Sequence, residues 1–212
     1  MFQQFQSINL EKDKARLTAL MPVERADHNR KALRSAGMII LGIDPGYAIV
    51  GYGVINYINN RYTTLDYGAV TTQAKTPFSE RIEQIYDEIS AVLTRWKPQA
   101  VALEKLFFNT NTTTAIDVAQ ARGVIMLAAT KCAVPVYEYT PLQVKQAVVG
   151  YGRAEKKQVM EMTKMLLGLS AVPKPDDTAD ALAMALCHAH SSGSLMSGIL
   201  REAGKQQTRR IR

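Results

Sequence analysis

Four acidic residues stand where a pair of divalent metal ions would need oxygen ligands. Asp44 ends the apolar run Met38-Ile39-Ile40-Leu41-Gly42-Ile43 and is followed at once by Pro45-Gly46. Glu104 ends a second apolar run, Ala100-Val101-Ala102-Leu103, and Asp177 and Asp180 open a third, Ala181-Leu182-Ala183-Met184-Ala185-Leu186. A carboxylate is costly to desolvate, so one that closes a buried strand calls for a partner, a metal or a role. Converging carboxylates repel one another, and a hard cation bound by oxygen relieves that repulsion. Two such ions about 3.5–4 Å apart activate water and stabilise the leaving oxygen of a phosphodiester. Each acid also has a plainer reading. Asp44 fits a turn before Pro-Gly, and Asp176, Asp177 and Asp180 fit the N-terminal turn of a helix, whose dipole they complement. Glu104 resists that reading, because the strand before it holds it near the interior.

The elements that would position these groups alternate along the chain. Ile39–Asp44, Ile49–Ile58 and Arg61–Val70 have strand character, with Pro45-Gly46 and Asn59-Asn60 as turns, and Asn-Asn suits a tight hairpin. Thr76-Pro77 offers an N-cap followed by proline at the first helical position. The helix beyond it carries Ile82, Ile85, Ile89, Val92 and Leu93 at spacings of three or four and stops at Trp96-Lys97-Pro98. A strand over Gln99–Leu106, a helix over 111–130, a strand over Val134–Tyr139 and two or three further helices complete the domain. Three hairpin-linked strands followed by strand–helix alternation predict an α/β fold, a mixed five-stranded sheet flanked by helices. Sites on such sheets form beyond the carboxyl ends of the strands, where Asp44 and Glu104 would lie. Asp177 and Asp180, three apart on a helix, share a face. The helix 112–130 is apolar all round, which fits either a deeply buried helix or a homodimer interface.

Charge is divided unevenly. The net charge is +7, yet residues 1–37 hold seven basic and four acidic side chains, 189–212 hold five and one, and the stretch between holds fourteen of each. Basic character that would suggest nucleic acid therefore lies in the ends, and only bound cations would make the neutral middle attractive to a polyanion. The reading divides the chain into a polar N-terminal extension (1–37, disordered or an artefact of the start site), a folded domain (38–190) and a flexible basic tail (191–212). No run of about 18 apolar residues suggests a membrane span, and the N-terminus lacks the pattern of a secretory signal. Two cysteines, Cys132 and Cys187, make a disulfide framework improbable and a cytoplasmic location the expectation. Cys187-His188-Ala189-His190 lacks a complete four-ligand zinc set and fits a core thiol beside polar histidines.

Six stretches carry a family resemblance: Ile40–Gly46, Leu103-Glu104 leading to Phe107, Gln120–Val124, Val144–Gly150, Ala154-Glu155-Lys156 and Asp177–Leu182. In that order, from about Met38 to His190, they resemble the RuvC family of Holliday junction resolvases. The resemblance implies an RNase H-like fold and a homodimer that resolves four-way DNA junctions by paired symmetric nicks leaving 5′-phosphates. It also implies two Mg²⁺ ions per subunit, for which Mn²⁺ can substitute, and cooperation with a branch-migration motor. It makes Asp44, Glu104, Asp177 and Asp180 the metal ligands and catalytic acids. Lys145 and Lys156 become DNA-facing lysines and Phe107 an aromatic that stacks on bases near the crossover, with Phe108 its neighbour or part of the core.

Three other readings compete. An actin-like or Hsp70-like ATPase shares the Gly-Ile-Asp-x-Gly signature but duplicates the domain, and this chain carries one such signature. A noncatalytic junction-binding protein would lack one or more of the acids, and all four are present. Another RNase H-like nuclease, acting on RNA or duplex ends, fits less well with the cluster of Phe107, Lys145 and Lys156.

Overall fold

The structure, a computed structural model, describes the backbone over residues 37–105 and 112–209 and side chains over 37–105 and 114–192. The expected extension up to residue 36, the segment 106–111 with Phe107 and Phe108, and residues 210–212 lie outside the described residues.

Five strands, Met38–Asp44 (β1), Ile49–Ile58 (β2), Arg61–Thr71 (β3), Ala100–Glu104 (β4) and Val136–Tyr139 (β5), form one sheet in the order β3-β2-β1-β4-β5. The first three are antiparallel neighbours, whereas β4 runs parallel to β1 and β5 parallel to β4. Asn59 and Asn60, with φ of 48° and 65°, close the β2–β3 hairpin, and asparagine tolerates that left-handed geometry. The mixed five-stranded sheet is the one the alternation predicts. Strand β4 stops at Glu104 and starts after Gln99, whose side-chain Oε1 accepts from Ile39 N at 2.6 Å beside β1.

Alternation along the strands sends side chains to two covered faces. Ile39, Leu41 and Ile43 meet Ile85, Ile89, Leu93, Ala121 and Ile125 on one side, where helices Phe78–Trp96 (α1) and Thr112–Lys131 (α2) pack. Ile40, Ala102 and Tyr139 meet Val144, Val159, Leu182 and Leu186 on the other, beneath Pro141–Val149 (α3), Lys156–Leu166 (α4) and Asp176–Arg209 (α5).

Two sequence expectations need correction. Thr76 does not cap α1: the cap position is Pro77, which contributes no side-chain bond, and its carbonyl accepts from Glu80 N and Arg81 N at 3.1 Å each. The stretch from Ser191 expected as a flexible tail is helical, since α5 runs on to Arg209. Its composition is polar, but Leu195, Met196, Ile199 and Leu200 recur at helical spacing. The motif at 187–190 belongs to the core: Cys187 is a buried free thiol, and His188 and His190 bond to Tyr139 and to the Ala147 carbonyl. Among the described residues, no helix is long and apolar enough to cross a membrane.

Candidate functional site

Strand parity decides where the first two carboxylates point. In the parallel β1–β4 ladder Gly42 faces Ala102 and Ile43 faces Leu103, so Asp44 and Glu104 occupy the next rung at the carboxyl ends of adjacent strands. Both share the parity of Ile40 and Ala102, which face α5.

The third element reaches them because the sheet lacks side chains where α5 crosses it. A Cβ on Gly42 would run into the Ala181 carbonyl and the Ala185 amide, and one on Gly51 into the Asp177 carbonyl. One on Gly53 would meet the Leu182 side chain. Gly42 pairs with Gly53 across β1 and β2, and Asp44 pairs with Gly51. This glycine floor lets the α5 backbone lie directly on the strands and bring its acidic first turns beside Asp44.

The result is a cleft of about 180 Å³ lined by Asp44, Glu104 and Asp180 together with Lys145, Lys156, Val144 and Met184, among others. Lys145 comes from α3, which starts at a reciprocal cap: Gln143 N donates to Thr140 Oγ1 at 3.2 Å and Thr140 N to Gln143 Oε1 at 2.8 Å. Lys156 opens α4, and its Nζ lies 2.8 Å from Asp180 Oδ2 and 4.0 Å from Asp176 Oδ2. Asp177 acts on Asp44 through its charge without lining the cleft. Phe107 lies outside the described residues.

Electrostatics mark this cleft as short of cations. Burial, then the charges of Glu104, Asp180 and Asp177, push Asp44 up to about 8, against the opposing pull of Lys156. Burial likewise raises Glu104, helped by Asp180, while a hydrogen bond from Asp44 works the other way. Desolvation raises Asp180, and its bond with Lys156 opposes the shift. Among the described residues no three acidic, histidine or cysteine side chains already stand at ligating distance of one ion. Asp44 is instead hydrogen-bonded to Glu104, and Lys156 pairs with Asp180. The donor set is nonetheless that of a hard divalent cation, four carboxylates with no thiolate or imidazole among them.

Sequence reasoning missed two groups. Arg122 lies inside a quoted stretch without an assigned role, and here its Nε donates to the Glu104 carbonyl at 3.3 Å while its Nη2 pairs with Glu138. Arg81 is buried beneath the turn that follows Asp44. A charged residue at a core-facing position of an amphipathic helix could have found Arg81, and a lone cation within an otherwise apolar helix could have found Arg122.

Comparison with known proteins gives a consistent picture. A family model described as crossover junction endodeoxyribonuclease RuvC matches residues 40–188. The protein of that name from Desulfitobacterium hafniense is 60% identical over 165 residues, covering 77% of this chain and 100% of the relative. A solved Thermus thermophilus RuvC structure aligns with a TM-score of 0.70 at 39% identity, over 74% of this chain and 96% of the other. A second, described as in complex with Holliday junction substrate, aligns with a TM-score of 0.69 at 37% identity, over the same shares of the two chains.

Proposed function

This chain belongs to the RuvC family of crossover junction endodeoxyribonucleases, an RNase H-like, metal-dependent nuclease that resolves Holliday junctions in recombination and repair, and from that premise we propose how its own residues do so. Asp44, Glu104, Asp177 and Asp180 hold two Mg²⁺ ions, with Mn²⁺ an acceptable substitute. The observation that carries this assignment is that β1, β4 and α5 deliver three of these acids to one cleft, with Asp44 raised by burial first and then by the charges of the other three. When bound, the ions supply a Lewis-acid charge for the attacking water and the departing 3′ oxygen, leaving 5′-phosphates.

The protein side of the reaction is positioning. Asp44 and Glu104 are fixed by adjacent rungs of the sheet, and the α5 acids by the glycine floor. Lys156 neutralises Asp180 in the resting site and stands at the mouth where a scissile phosphate enters; Lys145 offers a second ammonium on the same rim. Phe107 stacks on bases near the crossover. Phosphate contacts and junction shape, more than base identity, select the substrate.

The junction is approximately two-fold symmetric, so a homodimer presents one cleft to each of two opposing strands and makes paired nicks. On α2, Ala121, Ile125, Ala128 and Ala129 turn to the core, whereas Ile116 and Leu127 are exposed and no atom would lie near a Cβ at Gly123. Residues 116, 123 and 127 fall on one helical face with the exposed Gln120 among them, and the glycine at its centre suits close crossing by a second copy of α2. The nuclease domain spans 38–190. The enzyme acts in the cytoplasm, alongside a branch-migration motor.

The deciding experiment incubates the protein with a synthetic four-way junction and a linear duplex, each with and without Mg²⁺. Symmetric nicks confined to the junction with metal are expected. For Asp44→Asn, junction binding without nicking is expected; full nicking by that variant would overturn the ligand assignment.

A further inference from the structure

Two arginines on the opposite face of the sheet from the cleft take hold of main-chain carbonyls, one at the end of the strand that carries Glu104 and one in the turn that follows Asp44. Arg122, on α2, donates Nε–H to the Glu104 carbonyl at 3.3 Å and pairs through Nη2 with Glu138 of β5. Its side chain is 14% exposed. Arg81, on α1, donates Nη2–H to the Tyr47 carbonyl at 3.2 Å and Nε–H to Thr72 Oγ1 at 2.9 Å. Its guanidinium carbon lies 4.5 Å from the centroid of the Tyr47 ring. Thr72 Oγ1 itself donates to the Tyr47 carbonyl at 2.6 Å, so the turn after Asp44 is gripped twice. Neither arginine lines the cleft.

Both strand ends need such a grip. The β1–β2 ladder has its last rung at Asp44–Gly51 and the β4–β5 ladder at Glu104–Tyr139, so each carboxylate is borne by the last paired residue of its strand. A guanidinium is planar and carries five donors, so it fixes two acceptors at a set angle, which an ammonium on a flexible stem does not. Arg81 is buried with a hydroxyl, a carbonyl and a ring for partners and, among the described residues, no carboxylate. Such a group is costly to desolvate. It touches Tyr47 through the carbonyl and the ring, and its other partner, Thr72, bonds that same carbonyl, so both hydrogen bonds bear on one turn.

We infer that Arg122 and Arg81 are positioning residues: they fix the separation of the Glu104 and Asp44 carboxylates from behind the sheet, so divalent-ion affinity depends on two side chains that never meet the ion. This rests on the reading of Asp44 and Glu104 as ligands. Groups that orient ligands from outside the coordination sphere commonly change metal affinity by about 10–100-fold when replaced.

The test compares Arg122→Gln, Arg122→Lys, Arg81→Lys and Glu138→Gln with the wild-type protein. Thermal unfolding in EDTA reports the fold, the rise in Tm on titrating Mg²⁺ or Mn²⁺ reports ion binding without turnover, and anisotropy with a labelled junction in EDTA reports DNA binding. Arg122→Gln should raise the half-saturating Mg²⁺ concentration about tenfold. Arg122→Lys and Glu138→Gln should give smaller rises, because each keeps part of the clamp. Junction affinity in EDTA should stay within about twofold of wild type. Half-saturation within about twofold of wild type in both Arg122 variants would overturn the inference, and so would an equal loss of junction affinity, which would make Arg122 a DNA contact. Should buried Arg81→Lys fail to fold, the decision falls to Arg122 and Glu138. A wild-type protein whose Tm ignores both ions would overturn the ligand assignment itself, an outcome separate from failure of the clamps.

Discussion

Lys156 Nζ lies 2.8 Å from Asp180 Oδ2, so the first residue of α4 meets the inner acid of α5 across the mouth of the cleft. Its ammonium is held protonated by that hydrogen bond above all, with the charges of Asp180, Asp176 and Asp44 adding to it. Because more than half of the side chain is exposed, the pair adds little to stability, and its value lies in the site. In Lys156→Ala, cleavage at saturating junction and Mg²⁺ should fall at least about tenfold, with Tm in EDTA within a few degrees of wild type. The salt slope of junction binding should drop by about 0.9 if the lysine also meets a phosphate. Single-turnover rates within twofold of wild type would remove Lys156 from the mechanism.

Metal-free stability should fall as pH rises through neutrality. Asp44 is raised from 3.8 to about 8, chiefly by burial. Between those values the unfolded chain has already released the proton and the folded chain still holds it. The stabilisation is therefore complete below the lower value and is lost on the way up to the higher one. From pH 6 to pH 8 in EDTA the loss is about 2 kcal/mol, a drop of several degrees in Tm. Asn at position 44 cannot titrate, so Asp44→Asn should show a flatter profile and exceed wild type at pH 8. Adding Mg²⁺ to the wild-type protein at pH 7 should release protons, measurable in buffers of different ionisation enthalpy. Parallel profiles for the two proteins would remove Asp44 as the source.

His188 should work against Asp44 between about pH 4 and 6.5. It is buried, and its Nδ1 lies 2.7 Å from the Tyr139 hydroxyl. Burial raises Tyr139, so its hydroxyl keeps its proton beside the ring. The same burial pushes His188 down to about 4. A depressed folded value means the contribution is present above the unfolded value of 6.5 and is lost as pH falls towards 4. NMR titration should find the ring neutral at pH 5.5; a midpoint near 6.5 would contradict this.

The parts of the site that were legible in the sequence are those encoded locally. An apolar run closed by an acid announces Asp44 and Glu104, and the period of two then aims both at the same face. The acidic start of α5 is equally local. What stayed hidden depends on contacts between distant segments. Arg122 meets a carbonyl 18 residues away and Arg81 one 34 residues away. Gly51 and Gly53 look like weak strand positions until a helix is laid on them. Proline 77 displaced the expected Thr76 cap for a subtler reason, since the chain enters α1 with Pro77 at ψ 141° and the threonine falls outside the first turn.

Filling the glycine floor should shift α5 away from Asp44 and Glu104. In Gly51→Ala the new methyl would meet the Asp177 carbonyl, which is backbone and cannot rotate away. Overpacking of this kind costs about 1–3 kcal/mol, and α5 must shift to relieve it. The expected variant folds with a lowered Tm, needs at least several-fold more Mg²⁺ for cleavage, and retains junction binding in EDTA. Normal metal dependence together with a lowered Tm would mean that the helix moves without carrying Asp177 and Asp180.

The outward face of α2 should govern the pairing of nicks more than their chemistry. Ile116 is 65% exposed and Leu127 49% exposed, so a charge at either position burdens the monomer fold little. If a second α2 crosses at Gly123, the same charge is buried at the interface, where an unpaired carboxylate is costly. Ile116→Asp and Leu127→Asp should therefore keep Tm within a few degrees at low concentration yet sediment as monomers where wild type sediments as a dimer. Each monomer retains Asp44, Glu104, Asp177 and Asp180, so slow nicking should persist. On a cruciform plasmid, whose junction is lost after a first unpaired nick relaxes it, these variants should yield nicked circles and the wild type linear product. Linear product from a sedimenting monomer would show that a single copy cuts both strands and that α2 serves another contact.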